Sequence, residues 1–196
     1  AIGHSNADFY TAKAAIMAGY NCVTHCFNQL RPFDHRDPGV LGVALLNSQL
    51  PVELIVDRIH LHQATVEMVW RLKGPDGIIL ISDAMAPTGE ADGAYQSNEG
   101  QLRLEDGILT NDHGNLAGSV LTLERAVKNF MDDTNCELTE AIRMATYNPA
   151  CLLGINKYKG SLYPGKDADL VVLTPGFEVV MTMVAGEIIS GLITLD

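Results

Sequence analysis

The chain has 196 residues, of which 47% are hydrophobic, and its formal net charge is −11 at pH 7. This hydrophobic share predicts a packed core and argues against a disordered protein. The negative charge, without any Lys- or Arg-rich stretch, argues against a nucleic-acid partner. No apolar run approaches the ~20 residues that a membrane-spanning helix needs, so no membrane segment is expected.

Short apolar runs, each closed by polar residues, are spread through the first part of the chain. They cover residues 1–3, 22–25, 52–56 and 78–81. Runs of this length and β preference are typical of strands buried on both faces. The intervening segments predict helices at about 8–18, 40–47 and 63–73, the first with Tyr10 and Met17 in its inward stripe. Strands that alternate with helices predict an α/β fold resembling a TIM-like barrel.

The pattern changes twice beyond residue 83. An Asp106-Gly107 pair between two strand-like runs predicts a β-hairpin, and helices are predicted at about 121–132 and 139–147. From residue 156, strand-like runs follow one another without helices. We therefore predict two domains, with barrel units in 1–155 and strands of a small β domain in 156–196. A barrel has eight strand–helix units in ~250 residues and about four are found here, so a second half of a larger protein is expected.

Two histidines stand at the ends of neighbouring strand-like runs. His4 closes the first run and His25 closes the second. Because the carboxyl ends of parallel strands meet at one rim of a barrel, the two imidazoles are candidate ligands of one metal ion. Imidazoles with a carboxylate and an open position for water suit zinc. The alternative, two unrelated histidines bonded to the backbone, stays open because their spacing is not a tight metal signature.

Asp83 follows the fourth apolar run and is the candidate general base. A carboxylate near a metal-bound water can take its proton and later protonate a leaving amine. The alternative is an aspartate that caps the next loop. Two histidines and an aspartate on one rim favour a metal-assisted hydrolase.

Other residues near the strand ends are candidate substrate contacts. His60 follows Asp57 at the end of the third run and can hold a hydroxyl or carbonyl oxygen. Arg36 lies in the loop after the second run, and its guanidinium fits a phosphate; the alternative is an ion pair with a nearby aspartate. The stretch 116–119 can approach a ligand closely through its glycine.

The cysteines show no C-x-x-C spacing. Cys22 and Cys26 lie four residues apart around a strand end, which is too far for a disulfide along a strand. Free thiols are therefore expected, as is typical of cytoplasmic proteins.

Six short motifs occur in order along the chain. They are GHSNA at 3–7, THCFN at 24–28, HRDPG at 35–39, SDA at 82–84, LAGS at 116–119 and PGKDADL at 164–170. Together they resemble the N-acetylglucosamine-6-phosphate deacetylases of the amidohydrolase superfamily, and the resemblance runs to Ile189. It implies the second half of a TIM-like barrel together with C-terminal strands of a small β-sandwich domain.

The resemblance also implies the chemistry. It implies metal-dependent hydrolysis of an amino-sugar phosphate. The implied metal is zinc, with iron or another divalent ion as the alternative. The metal would be bound by His4, His25 and a glutamate outside this sequence, and Asp83 would be the general base and acid. A homodimer is implied, in which Arg36 serves the neighbour's site. The implied substrate contacts are Asn28, Gln29, Arg36, Asp57, His60, Leu116, Ala117 and Gly118.

Two departures from the family pattern leave the sugar open. Gln29 and Leu30 stand where the family usually has Ala and Met, and Arg58 stands where it usually has Gly. A larger residue at either position can alter the substrate pocket, and Arg58 costs stability if its φ is positive. The alternatives are an epimeric, galactosamine-type phosphate, another amidohydrolase substrate, or an inactive truncated fragment.

Overall fold

The computed structural model describes residues 1–98 and 100–191. Its helices are α1 (Phe9–Met17), α2 (Gly39–Leu46), α3 (Gln63–Lys73), α4 (Leu123–Thr134), α5 (Leu138–Ala145) and α6 (Tyr147–Leu152). Its strands are β1 (Val52–Ile55), β2 (Ile78–Ile81), β3 (Gly93–Ser97), β4 (Gly100–Glu105), β5 (Ile108–Asn111), β6 (Leu170–Leu173), β7 (Val179–Val184) and β8 (Glu187–Gly191). Within these ranges no helix has the length and apolar character to cross a membrane. Residues 192–196 of the predicted second domain lie outside the described residues.

Neighbouring parallel strand segments, connected by helices, form the first half of the fold. β1 and β2 pair in parallel, with Val52 opposite Ile78. Val23 forms a parallel bridge to Val52, and Ile2 forms one to Val23. Helices α1, α2 and α3 connect these segments in turn. This arrangement confirms the predicted half of a TIM-like barrel.

The predicted strand at 22–25 is reduced to one paired residue, Val23, which bridges both Ile2 and Val52. The chain turns immediately afterwards, because His25, Phe27 and Gln29 have φ angles of 29°, 79° and 51°. An extended strand requires negative φ, so pairing cannot continue through these residues. The run at 1–3 likewise contributes one bridge, at Ile2.

Local capping signals set the helix boundaries. Asp8 Oδ1 accepts the Thr11 N–H at 2.7 Å and begins α1. His62 Nδ1 accepts the Ala64 N–H at 3.1 Å at the start of α3, and Gly74, with φ 62°, ends it. The boundaries of α3 match the prediction.

The predicted inward stripe of α1 is wrong. Tyr10 and Met17 are 81% and 83% exposed, whereas Ala12 is 1% exposed. α1 packs on α2, whose residues from Gly39 to Ala44 are all buried. A small side chain such as Ala12 allows this close approach, whereas Tyr10 and Met17 face away.

The main core lies between the parallel strands and their helices. Leu54 of β1, Ile78 of β2, Val66 of α3 and Phe130 of α4 are each completely buried. The Trp70 ring meets the Phe130 ring edge-on at 5.8 Å and joins α3 to α4. Each such side chain contributes about 1.5–3 kcal/mol on burial.

Two antiparallel sheets complete the described fold. β4 and β5 form the predicted hairpin around Asp106-Gly107. β3, which pairs with β4, was not predicted, because Gly93–Ser97 has no alternating apolar pattern. β6, β7 and β8 form the second sheet in the predicted C-terminal domain.

Candidate active site at the strand ends

The carboxyl ends of the strand segments open into a cleft of about 550 Å³. Loops that follow the strands form one side, and β4 with the loop after β5 forms another. All predicted site residues except Arg36 and Asp57 line it. The lining residues are His4, His25, Asn28, Gln29, Ile55, His60, Asp83, Met85, Gln101, Leu102, Asn111, Asp112, His113, Asn115, Leu116, Ala117 and Gly118.

Four strand-end turns in or beside the cleft share a left-handed backbone. The φ angles are 46° at His4, 29° at His25, 65° at Arg58 and 50° at Asp83. Side-chain-bearing residues rarely adopt this conformation, and such outliers cluster at functional sites. The shared geometry turns the chain sharply where each strand ends.

The two candidate metal ligands lie side by side. The ring centroids of His4 and His25 are 4.9 Å apart, with a 66° angle between the planes. A Cβ at Gly3 would lie 2.3 Å from Thr24 Cγ2, so only glycine allows the two segments to approach this closely. His25 Nδ1 lies 3.1 Å from the Asn28 carbonyl oxygen. When Nδ1–H donates this hydrogen bond, Nε2 is left free to bind a metal.

This pair fits part of a zinc ligand set. Within residues 1–98 and 100–191, no group of three His, Cys, Asp or Glu side chains is arranged to hold a metal ion. Cys26, beside His25, is buried, and burial raises the pKa of its thiol to about 12. Two neutral imidazoles leave room for a further carboxylate and a water.

Asp57 lies behind the cleft and orients His60. Its Oδ2 is 2.6 Å from His60 Nδ1, and both side chains are nearly buried. Burial acts to raise the pKa of the Asp57 carboxyl, but hydrogen bonds from the His60 ring and from two backbone N–H groups outweigh it, and the pKa lies below its ordinary value. Asp57 is therefore an anion that accepts the Nδ1–H of His60, and Nε2 is the ring nitrogen available to a ligand.

The stretch around Gly118 is joined to the turn of Asp83. Ser119 N–H donates to the Asp83 carbonyl at 2.8 Å, and Met85 N–H donates to the Ser119 carbonyl at 2.9 Å. Ala84 and Ser119 thus form a further parallel bridge beside β2. Residues separated by more than thirty positions in the sequence therefore share one edge of the cleft.

Asn28 brings an unsatisfied donor to the cleft. Its Nδ2 is buried and has no hydrogen-bond partner in the described part of the chain. A buried amide without a partner costs about 1–3 kcal/mol, so a ligand oxygen would satisfy it. Gln29, also in the lining, has a φ of 51° and is exposed.

Arg36 lies away from the cleft on an exposed loop. The alternative of an ion pair with a nearby aspartate is not observed. Asp37 pairs with Arg31 at 2.8 Å, and Asp34 accepts the backbone N–H of Arg36. The guanidinium has no ion pair within the described ranges, which leaves it available to a ligand or a partner.

Sequence reasoning missed the wall that the β3–β5 sheet contributes. Gln101 on β4, Asn111 at the end of β5, and the loop residues Asp112 and His113 line the cleft. The loop that carries His113 is a generic polar turn, which by itself indicates only a surface position. No local pattern reports that this hairpin folds back over the strand ends.

Comparisons with known proteins agree with this architecture. The sequence pattern of the Amidohydrolase family matches residues 2–189. An N-acetylglucosamine-6-phosphate deacetylase of Lysinibacillus sphaericus is 44% identical over 187 residues, which are 95% of this chain and 48% of the relative. An N-acetylgalactosamine-6-phosphate deacetylase of Escherichia coli O157:H7 is 35% identical over 189 residues, which are 96% of this chain and 50% of the relative.

Solved structures show the same similarity. The N-acetylglucosamine-6-phosphate deacetylase of Thermotoga maritima superposes with a TM-score of 0.92 at 35% identity, covering 97% of this chain and 52% of that one. A variant of the Mycobacterium smegmatis deacetylase, in complex with N-acetyl-D-glucosamine-6-phosphate, superposes with a TM-score of 0.90 at 35% identity. This match covers 95% of this chain and 50% of that one. The chain spans about half the length of these relatives. From the match over residues 2–189 and the shared half-barrel, the chain belongs to the amidohydrolase family.

Proposed function

We propose that the full-length protein carrying this sequence hydrolyses the N-acetyl group of N-acetylglucosamine 6-phosphate to glucosamine 6-phosphate and acetate, in amino-sugar catabolism. The observation that carries this proposal is the cleft, in which His4, His25, His60 and Asp83 meet at the strand ends. The similarity to deacetylases over almost the whole chain supports the substrate class. Four free cysteines in the described ranges support a cytoplasmic location.

His4 and His25 would hold a divalent ion, for which we propose zinc, with iron or another divalent ion as the alternative. A bound zinc ion lowers the pKa of a coordinated water and polarises a carbonyl. The remaining ligand in this proposal is a glutamate outside the sequence described here. The hydrogen bond from His25 to the Asn28 carbonyl fixes the ring so that Nε2 faces the cleft.

Asp83 performs the proton transfers. Its carboxylate takes a proton from the attacking water as the water oxygen bonds to the acetamide carbon. It then delivers that proton to the nitrogen as the carbon–nitrogen bond breaks, which releases acetate and the amine. The bridge between Ala84 and Ser119 holds the Asp83 turn against the stretch around Gly118, at the same edge of the cleft.

His60 holds the substrate oxygen. In its protonated form, with Nδ1–H accepted by Asp57, the ring presents Nε2–H to the oxygen that becomes negative. Because Asp57 keeps the ring in one orientation, little reorganisation is needed when charge develops.

The phosphate is bound by Asn28, the backbone N–H of Gln29 and Arg36 of a second copy in a homodimer. The unpartnered Nδ2 of Asn28 supports this assignment. The composition of the cleft also supports a contribution from Arg36 of a second copy, since no Lys or Arg is among the described lining residues. Leu116, Ala117 and Gly118 close over the sugar or its acyl group.

Asp83→Asn in the full-length protein tests this function. We expect acetate release to fall by about 10²–10⁴-fold, because asparagine cannot accept the proton. Zinc content, measured by elemental analysis of the same preparation, should be unchanged. Turnover that stays within a few-fold of the unsubstituted protein would refute the role of Asp83.

A second candidate substrate is the galactosamine epimer. The similarity to an N-acetylgalactosamine-6-phosphate deacetylase favours it, and Gln29, one of the departures from the family pattern, lines the cleft. Acetate release from the two epimeric phosphates, compared as kcat/KM, separates the candidates. A higher value for the galactosamine compound would replace our first choice of substrate.

A further inference from the structure

The turn that carries His60 is closed by its own aspartate. Asp57 Oδ1 accepts the backbone N–H groups of Ile59 at 2.8 Å and His60 at 2.7 Å. The other oxygen of the same carboxylate contacts His60 Nδ1. Backbone and ring are thus bound to one group, so any displacement of the turn also displaces the imidazole.

Arg58 occupies the strained position of this turn. Its φ is 65°, in the left-handed region that L side chains rarely adopt. Glycine would adopt this conformation without steric cost. The turn therefore needs an external contact that keeps Arg58 in place.

Helix α4 supplies that contact from two side chains one helical turn apart. Asp133 Oδ1 accepts hydrogen bonds from Arg58 Nε at 3.1 Å and Nη2 at 2.8 Å. Asn129 Nδ2 donates to the Val56 carbonyl at 2.8 Å. Residues four apart lie on the same helix face, so both can reach the end of β1 together.

The contact with Asp133 differs from a surface ion pair. The Asp133 side chain is 1% exposed, and its Oδ2 has no partner among the described residues. Asp132, the next residue, is 45% exposed, lies 3.7 Å from Arg58 and also pairs with Lys128. Solvent screening is weaker at the buried carboxylate, so Asp133 holds Arg58 more firmly than Asp132 does.

We propose that Asp133, acting through Arg58, is a positioning residue for His60. The inference rests on the proposed function, in which His60 holds the substrate oxygen. Asp133 keeps the strained Arg58 in its turn. The turn then fixes the positions of Asp57 and His60, so that the His60 ring faces the cleft at a fixed angle.

The test uses five variants of the full-length protein. Asp133→Ala should lower kcat by about 10- to 100-fold, because a small misplacement of a catalytic group costs this much, while KM changes less. Asp132→Ala, the matched control on the exposed side, should stay within about two-fold. Arg58→Gly in the Asp133→Ala background should restore most of kcat, since glycine needs no contact to keep the turn. In a His60→Ala background, Asp133→Ala should have no further effect.

Nitrogen NMR of the His60 ring provides a readout besides turnover. The signal of Nδ1 bound to Asp57 should broaden or shift in Asp133→Ala and return with Arg58→Gly. A kcat loss in Asp133→Ala that persists undiminished in the His60→Ala background would overturn the inference, because the effect would not pass through His60. Unchanged kcat in Asp133→Ala, with His60→Ala strongly impaired, would overturn it while leaving the proposed function in place. If His60→Ala itself retains turnover, the proposed role of His60 fails and the inference fails with it.

Discussion

At the scale of single residues, Gly118 marks the point where the cleft has no room for a side chain. Its φ is 68°, and a Cβ there would lie 2.5 Å from Met85 Cγ and 3.0 Å from the Asp83 carbonyl oxygen. A methyl group must therefore displace either the Met85 side chain or the backbone of the proposed general base. The absence of a side chain at this position is what lets the stretch around Gly118 pack against the turn of Asp83.

We expect Gly118→Ala to lower kcat/KM of the full-length protein by about 10-fold or more, because a shift at Asp83 disturbs the proton transfer. Urea unfolding should show a loss of about 1–2 kcal/mol from the left-handed backbone. Gly107→Ala is the matched control, since Gly107 has a φ of 77° and no atom within 4 Å of its Cβ position. Gly107→Ala should lose similar stability but keep its turnover; equal loss of turnover in both would contradict the steric argument.

At the scale of elements, a buried lysine joins three segments of the barrel. Lys73, at the end of α3, is 7% exposed. Its Nζ donates to the carbonyl oxygens of Ala44 at 2.8 Å, Asn47 at 2.5 Å and Leu50 at 2.7 Å. Burial lowers the pKa of its ammonium group. Lys73 thereby binds the end of α2 and the loop before β1, where the helix carbonyls have no helical partner.

Lys73→Met keeps the volume of the side chain and removes its donors. We expect a loss of about 3 kcal/mol in the free energy of unfolding, since buried carbonyl groups are left without partners. Arg71→Met is the control, because Arg71 is 75% exposed and pairs only with Glu67 within the same helix. That substitution should cost less than about 1 kcal/mol. Equal unfolding midpoints for the two variants would show that Lys73 does not join these segments.

At the scale of the whole molecule, the candidate active site is incomplete within the described residues. His4 and His25 are adjacent, yet the described residues contain no group of three metal-binding side chains. The proposed phosphate contact, Arg36, lies outside the cleft of its own chain. Both features are expected if the remaining groups come from other parts of the protein or from a second copy.

We therefore expect the isolated 196-residue chain to release acetate at least about 100-fold more slowly than the full-length protein, since an incomplete ligand set loses metal affinity and activity. Calorimetric zinc titration should give weak binding that disappears in His25→Ala. Full activity from a preparation shown by mass to contain only these residues would contradict the proposed division of the site.

The sequence alone determined those features that depend on neighbouring residues. The glycine after Lys73 marked the end of α3, and the short apolar run at Ile78–Ile81 identified β2. Strand alternation with helices indicated the barrel, and His4, His25 and Asp83 stood out because each follows an apolar run. These signals are local, since caps, turns and burial patterns act within a few residues.

Only the tertiary structure decided features that join distant residues. Within the described residues, the run at 22–25 pairs at Val23 alone because the chain turns left-handed after it, and β3 forms because β4 offers its edge. His113 reaches the cleft because a hairpin folds back over the strand ends. Arg58 finds Asp133 seventy-five residues away, and that contact offsets a strained turn. Each outcome depends on a partner placed by the packing of the whole barrel, which no local pattern in the sequence reports.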